Sequence, residues 1–83
     1  MKDVYTQYQK AAKSYADKFG ITDNHIIDII TSVMMARDRV GPLGGSFVQA
    51  VVNNNLFEAV SRADSECIKY IKEITSACQW ARV

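Results

Sequence analysis

The chain of 83 residues carries 10 basic and 9 acidic side chains, for a formal net charge of +1, and 48% of its residues are hydrophobic. This length predicts one domain over residues 1–83. The balanced charge argues against a nucleic-acid binder, which would carry a basic face, and against an anchor for anionic membranes. A chain this short buries only about 60% of the surface that its unfolded form exposes. We therefore expect it to form a homo-oligomer.

The first half of the sequence predicts two helices. Apolar residues recur at spacings of three and four over residues 3–19, and Gly20 offers a left-handed residue that ends the first helix. Thr22 or Asp23 caps a second helix that continues to Val40. Its apolar stripe is wide, which predicts a central helix contacted from more than one side. The stripe consists of Ile26, Ile27, Ile29, Ile30, Val33, Met34 and Val40.

Residues 41–45, Gly-Pro-Leu-Gly-Gly, form the strongest helix breaker in the sequence. Ser46 follows as an N-cap, and the third helix opens with Phe47. Three consecutive asparagines at 53–55 then interrupt the helical pattern, because the asparagine amide competes for backbone groups.

The remaining helices are predicted from capping residues. Asn55 and Glu58 have the spacing of a capping box for a short helix over 56–62, although a kinked continuous helix fits the same pattern. Asp64 caps a final helix over 65–81. The β-branched residues occur at helical spacing without the alternation of strands. The predicted fold class is therefore all-α, a compact bundle of four to five short helices.

The two cysteines, Cys67 and Cys78, fall in the final predicted helix. A rise of about 1.5 Å per residue separates them by roughly 16 Å, whereas a disulfide needs Cα atoms within about 7 Å. We expect both to be reduced and buried, as in a cytosolic protein. The sequence shows neither an apolar run of about 18 residues nor a hydrophobic signal segment at its start. The expected location is therefore cytoplasmic.

Catalytic and metal-binding patterns are missing from the sequence. His25 is the one histidine, and it lies in the first turn of the second predicted helix. It is either a general base or, as we favour, a solvent-exposed residue at a helix start. Paired cysteine and histidine spacing for zinc is absent, as are phosphate-binding and nucleophile-elbow motifs. We therefore predict no enzyme, no metal and no cofactor.

The glycine-rich loop is the most informative segment for function. A loop that leads into a helix exposes backbone N–H groups, which together with the helix dipole favour a phosphate or a carboxylate. Glycines also let a ligand approach the backbone closely, and nearby arginines add charge. The alternative is an ordinary helix connection with solvated arginines. The candidate residues here are Arg37, Arg39, Gly44, Gly45, Ser46, Phe47 and Arg62.

Three tyrosines lie on the first predicted helix, namely Tyr5, Tyr8 and Tyr15. Tyr8 and Tyr15 share one face. They are either core and rim residues or a surface on which a base or a partner's side chain stacks. Tyr8 is therefore added to the candidate binding residues.

Residues 44–64 resemble a motif of small phage and prophage proteins, in which Gly-Ser-Phe opens a helix, Ala-Val and Asn-Asp-Leu follow, and Arg-Ala-Asp closes the motif. Asn55 stands where that family usually has aspartate. The matching residues are Gly45, Ser46, Phe47, Ala50, Val51, Asn54, Leu56, Ala59, Arg62, Ala63 and Asp64.

The resemblance implies a phage protein. Asn54, Arg62 and Asp64 are polar motif residues that either cap short helices at a tight corner or line a pocket beside the Gly45-Ser46 loop. Phages encode compact helical oligomers that sequester nucleotide signals of bacterial immunity, and the size and the anion-ready loop of this chain fit such a role by analogy.

Three functions follow as hypotheses. The leading one is a phage-encoded protein that counters host defence by sequestering a nucleotide-like, phosphate-bearing ligand between subunits. The rival is a protein–protein interaction module that binds and inhibits a host protein through a helical face. The third is a small enzyme that acts on a nucleotide with His25 as base.

Overall fold

The computed structural model describes residues 3–41 and 45–80 of the chain. Every regular element within these ranges is an α-helix, and the Cα radius of gyration is 11.5 Å. The predicted all-α class is therefore confirmed. The helices are α1 (Asp3–Lys18), α2 (Asn24–Arg37), α3 (Ser46–Val52), α4 (Leu56–Arg62), α5 (Ser65–Lys69) and α6 (Ile71–Trp80).

Helix α2 lies at the centre and packs against α1, α3 and α6. Ile26, Ile30, Val33 and Met34 have no solvent exposure, which is what the wide apolar stripe predicts. The buried hydroxyl of Thr31 donates to the carbonyl of Ile27 at 2.8 Å, so this polar group is satisfied inside the helix. The enclosed face of α2 therefore serves packing, and its polar side chains lie at the two ends and on the narrow exposed side at Asp28.

Helix α1 ends in a Schellman motif around Gly20. Gly20 has φ +71°, the N–H of Ile21 donates to the carbonyl of Ala16 at 2.9 Å, and the N–H of Gly20 donates to Asp17 at 3.2 Å. Ile21 is fully buried, which supplies the apolar contact typical of this motif. The predicted role of Gly20 is confirmed, and the helix ends one residue earlier than expected, at Lys18.

The same motif ends α2 without a glycine. Arg39 has φ +59°, its N–H donates to the carbonyl of Ala36 at 3.1 Å, and the N–H of Val40 donates to Met35 at 2.8 Å. Helix α2 therefore ends at Arg37 rather than at Val40. A left-handed backbone at a residue with a Cβ costs about 1–2 kcal/mol, so the chain keeps an arginine where glycine would fit better.

Helix α3 begins one residue earlier than predicted, with Gly45 rather than Ser46 as its N-cap and with no side-chain capping bond. It ends in a third Schellman motif. Asn54 has φ +60°, and the N–H of Asn55 donates to the carbonyl of Ala50 at 2.9 Å. Asparagine tolerates this backbone better than most residues do.

The asparagine run separates two helices, as the capping pattern indicated. Asn55 Oδ1 accepts from the N–H of Glu58 at 3.2 Å and caps α4. The predicted final helix is divided, because the backbone of Tyr70 leaves the helical region at φ −113° and ψ 21°. This break accounts for six helices in the described residues where four to five were expected.

Two glycines of the connection between α2 and α3 give a matched test of the fold. An alanine at Gly41 takes an unfavourable φ of +71° and brings its Cβ to 2.9 Å from Met35 Cε. We expect Gly41→Ala to lower the free energy of unfolding by about 1–2 kcal/mol. Gly45 has an ordinary backbone and open space around it, so Gly45→Ala is the near-neutral control. Urea denaturation of both variants checks this, and equal stabilities would contradict the left-handed assignment of Gly41.

Candidate functional site

Tyr8 and Arg37 belong to one hydrogen-bonded network at the end of α2. The hydroxyl of Tyr8 donates to Asp38 Oδ2 at 2.7 Å, and this bond is the largest cause that raises the pKa of Tyr8. Arg37 donates to both carboxylate oxygens of Asp38, at 2.8 and 3.0 Å, and to the carbonyl of Cys78 at 3.1 Å. Tyr8 is 8% exposed. Both candidate residues are thus engaged in joining α1, α2 and α6.

Arg39 lies at a surface cavity between the end of α2 and α3. The cavity has a volume of about 270 Å³ and combines an apolar floor with an arginine, a glutamine and an asparagine. The side chain of Arg39 is exposed, and it makes no hydrogen bond or ion pair with the described residues. The cavity is lined by Ala36, Arg39, Gly41, Gln49, Val52 and Asn53.

The loop residues predicted to hold an anion have different environments. Gly45 and Ser46 are exposed at the start of α3, whereas Phe47 is 8% exposed and belongs to the core. The buried ring of Phe47 therefore offers no open face for stacking. Gly44 lies outside the described residues.

Asn54 lies at a second surface cavity of about 470 Å³, between the end of α3 and α6. Val52 lines this cavity as well as the one at Arg39, so the two cavities flank the end of α3. Sequence reasoning placed Asn54 and Arg39 in one site. The structure places them at adjacent cavities, each at a non-glycine residue with a left-handed backbone.

Arg62 forms an ion pair with Glu58 on α4, with 3.1 Å between Arg62 Nε and Glu58 Oε1. Both side chains are half-exposed, and pairs of this spacing contribute about 0.3–0.5 kcal/mol. Among the described residues that line the two cavities, Arg62 is absent.

Asp64 joins a cluster that sequence reasoning missed. Its Oδ1 accepts from the N–H of Cys67 at 2.8 Å and so caps α5, while its Oδ2 lies 3.1 Å from His25 Nε2. Ligand atoms of His25, Asp64 and Cys67 all lie within 4.8 Å of one another. His25 and Asp64 are 39 positions apart, so no spacing motif connects them. The one local signal is the capping position of Asp64 three residues before Cys67.

The electrostatics of this cluster favour the neutral thiol of Cys67 over the thiolate in the absence of a metal ion. The pKa of Cys67 is raised to about 11, mainly by burial and secondly by its side-chain hydrogen bond to Asp64. The hydrogen bond from the backbone of Cys67 lowers the pKa of Asp64. Burial also raises the pKa of Cys78. Since nucleophilic cysteines need a depressed pKa, both thiols are suited to roles other than nucleophilic catalysis.

A third depression lies between α1 and α2, with a volume of about 550 Å³. It contains Lys10 and Lys13, one helical turn apart, together with Asp28. Sequence reasoning did not single out these lysines. The carboxylate of Asp28 offsets part of the charge of the two lysines in this groove.

Comparison with protein-family models, with curated proteins and with solved structures gave no match. The resemblance to phage proteins therefore stays a prediction from the motif over residues 44–64. Among the helices of residues 3–41 and 45–80, none combines the length and the apolar character needed to cross a bilayer.

The reactivity of the two cysteines tests their placement in the fold. Both are free thiols, Cys67 being 3% exposed and Cys78 half-buried. A pKa of about 11 against the usual 9.0 lowers the thiolate fraction of Cys67 about 100-fold at pH 8. We expect Cys67 to react with a disulfide reagent at least about 100-fold more slowly in the folded protein than in urea.

The raised pKa of Cys67 also makes stability depend on pH. The folded protein buries Cys67 favourably only as the neutral thiol, whereas the unfolded chain tolerates the thiolate. The free energy of unfolding therefore falls as the pH rises from about 9, the usual pKa of the thiol, to about 11, its pKa in the folded protein. For the labelling experiment with the disulfide reagent, a rapid reaction of Cys67 in the native protein would contradict its buried placement.

Proposed function

We propose that this protein sequesters a small phosphate-bearing, nucleotide-like ligand in the cavity between α2 and α3, and that it does so for a phage against a host defence signal. The observation that carries the ligand site is the left-handed, exposed and unpaired Arg39 at this cavity, among the residues that the structure describes. The resemblance of residues 44–64 to phage proteins supports the biological setting.

The backbone of Arg39 supports a role for its side chain. Glycine is the usual residue at this position of a Schellman motif, and strained non-glycine residues tend to occur at functional sites. The guanidinium has no carboxylate partner among the described residues, so it is available to form two parallel hydrogen bonds with a phosphate.

The composition of the cavity suits a mixed polar and apolar ligand. Asn53 supplies an amide group that donates to or accepts from a base or a sugar, whereas Ala36 and Val52 supply apolar surface. The volume of about 270 Å³ lies just below the range of about 300–1,000 Å³ that is usual for complete small-molecule sites. A nucleotide would therefore extend beyond the opening of the cavity, and a second copy of the chain in a symmetric oligomer would cover the part of the ligand that lies outside.

Binding without turnover is favoured over catalysis by the position of His25. His25 lies in the first turn of α2, while the cavity lies at the other end of this 14-residue helix, about 20 Å away. A base at that distance is out of reach of a ligand at Arg39. The enzyme hypothesis consequently has no acid–base group at the proposed site among the described residues.

Arg39→Gly separates ligand binding from folding. Glycine relieves the left-handed strain, so we expect the free energy of unfolding to rise by about 1 kcal/mol. Loss of the charged hydrogen bonds should weaken binding by about 1.5–3 kcal/mol, or roughly 10- to 150-fold in Kd. Calorimetry with cyclic and linear nucleotides, together with thermal melts, measures both effects.

Arg62→Ala is the matched control, because it removes one positive charge from outside the cavity and should leave affinity within about twofold. A nucleotide that has been bound by the protein and released by heat should be unchanged when it is analysed by mass spectrometry, whereas an altered product would indicate an enzyme. The proposal fails if no nucleotide binds the wild-type protein, or if Arg39→Gly binds as tightly as wild type does.

One observation favours a second function, a protein-interaction module. Phe57 on α4 is 88% exposed, and Val60 lies one turn further along the same side with 46% exposure. Exposed aromatic residues often anchor protein interfaces. This face therefore binds either a second copy of the chain or a host protein.

Phe57→Ser distinguishes these partners, because it removes the anchor without opening a core cavity. If the face joins two copies, light scattering at protein concentrations of tens of micromolar should show an oligomer for wild type and a smaller species for the variant. Phe19→Ser, at another exposed aromatic residue, is the control. A wild-type monomer would reject self-association and favour a host protein as the partner.

A further inference from the structure

His25, Asp64 and Cys67 bring an imidazole nitrogen, a carboxylate oxygen and a sulfur to one point between α2 and α5. The cluster lies at the opposite end of α2 from the cavity of the proposed function. Its three donors differ in type. Two of them, the thiolate and the imidazole, bind zinc and related transition metals in preference to magnesium and calcium.

Helix capping holds the cluster in place. Asp23 Oδ1 accepts from the N–H of His25 at 2.9 Å and fixes the first turn of α2. Asp64 Oδ1 accepts from the N–H of Cys67 and fixes the first turn of α5. The second oxygen of Asp64 is left facing His25 Nε2 at 3.1 Å. Two capping bonds thus orient the donors before any ion is present.

The spacing of the donors is close to that of a tetrahedral zinc site. Metal–ligand distances of about 2.0–2.3 Å place neighbouring donors about 3.3–3.6 Å apart. The donor atoms here lie within 4.8 Å of one another, so a movement of about 1 Å completes the geometry. The side chains of His25 and Asp64 are 50% and 57% exposed, which leaves them room to make this movement.

We infer that His25, Asp64 and Cys67 form a binding site for Zn²⁺, with a water molecule as the fourth ligand. On binding, the Cys67 sulfur forms a bond to the metal and its proton passes to the buffer. One thiolate and one carboxylate then balance the two charges of the ion. Cys67 is buried whereas His25 and Asp64 are half-exposed, so the metal lies at the protein surface, where water reaches the fourth position.

The bound ion joins the first turn of the central helix to the corner between α4 and α5. Among the described helices, α5 makes its main packing contacts with α6, and no substantial packing joins it to α2. A metal bridge between these helices would reinforce the His25–Asp64 contact with a connection that the apolar core does not provide. Since the folded state alone presents all three donors together, the ion stabilises it in proportion to its occupancy.

The experiment uses the full chain, stripped of metal, reduced with a phosphine and titrated with Co²⁺ as a spectroscopic substitute for Zn²⁺. We expect one equivalent to bind, with an intense near-ultraviolet band from thiolate-to-cobalt charge transfer. Zn²⁺ should displace Co²⁺, raise the melting temperature and protect Cys67 from alkylation while leaving the rate at Cys78 unchanged.

Variants assign the ligands. Cys67→Ser should abolish the charge-transfer band, whereas Cys78→Ser, the matched control, should retain it. Cys67 is buried, so its replacement could also unfold the chain. The second test is therefore His25→Gln, at a side chain that is half-exposed. It should weaken Zn²⁺ binding by at least about 100-fold, the upper end of what the loss of a supporting contact costs.

Three results would overturn the assignment. The first is the absence of a charge-transfer band in wild type, and the second is loss of the band in Cys78→Ser. The third is unchanged affinity in a folded His25→Gln protein, which would leave the cluster as a hydrogen-bonded helix cap. Nucleotide binding at Arg39 is independent of each of these results.

Discussion

Burial of α2 on three sides is the constraint on which the rest of the structure depends. Helices α1, α3 and α6 all pack against it, and Ile26, Ile30, Thr31, Val33 and Met34 on its apolar face have no contact with solvent. Outside this enclosed face, α2 reaches solvent at its two ends and along a narrow side that carries Asp28. The proposed ligand cavity and the proposed metal site lie at the two opposite ends of this helix.

The most distinctive features of this structure lie at the ends of its helices. Three helices end in the same hydrogen-bonded motif, with Gly20, Arg39 and Asn54 at the left-handed position. Gly20 fits the backbone without strain and borders neither cavity. Arg39 and Asn54 fit less easily, and each lines a cavity. This association between backbone strain and surface cavities supports the choice of Arg39 as the ligand contact.

Much of the fold could be predicted because its signals are local. Helical spacing identified the helices and the central position of α2. Asn55 and Asp64 perform their predicted capping roles, and of the two alternatives Thr22 and Asp23 it is Asp23 that caps α2. The end of α2 was placed three residues too late, since arginine gives no sign of a left-handed backbone. The break at Tyr70 was missed because the apolar spacing continues through it.

The site was harder to predict, because it depends on contacts between distant residues. Arg37 and Tyr8 have the chemistry of ligand contacts, yet both are engaged by Asp38 inside the protein. Phe47 faces the core, and Arg62 pairs with its neighbour on α4. His25 and Cys67 meet because α5 is brought beside the start of α2. The sequence patterns identified residues whose chemistry suits ligand binding, but the tertiary structure determines which of these side chains contact one another.

The hydrogen bonds from Arg37 to α6 have a consequence for the order of folding. Helices α1 and α2 are joined by five residues and make their contacts at short sequence separation, so their hairpin closes at little entropic cost. The bond from Arg37 to the carbonyl of Cys78 spans 41 positions and forms only when the last helix docks. A contact that forms after the folding transition state acts mainly on the rate of unfolding. We therefore expect the Arg37–Cys78 bond to affect how long the native state persists more than how quickly it is reached.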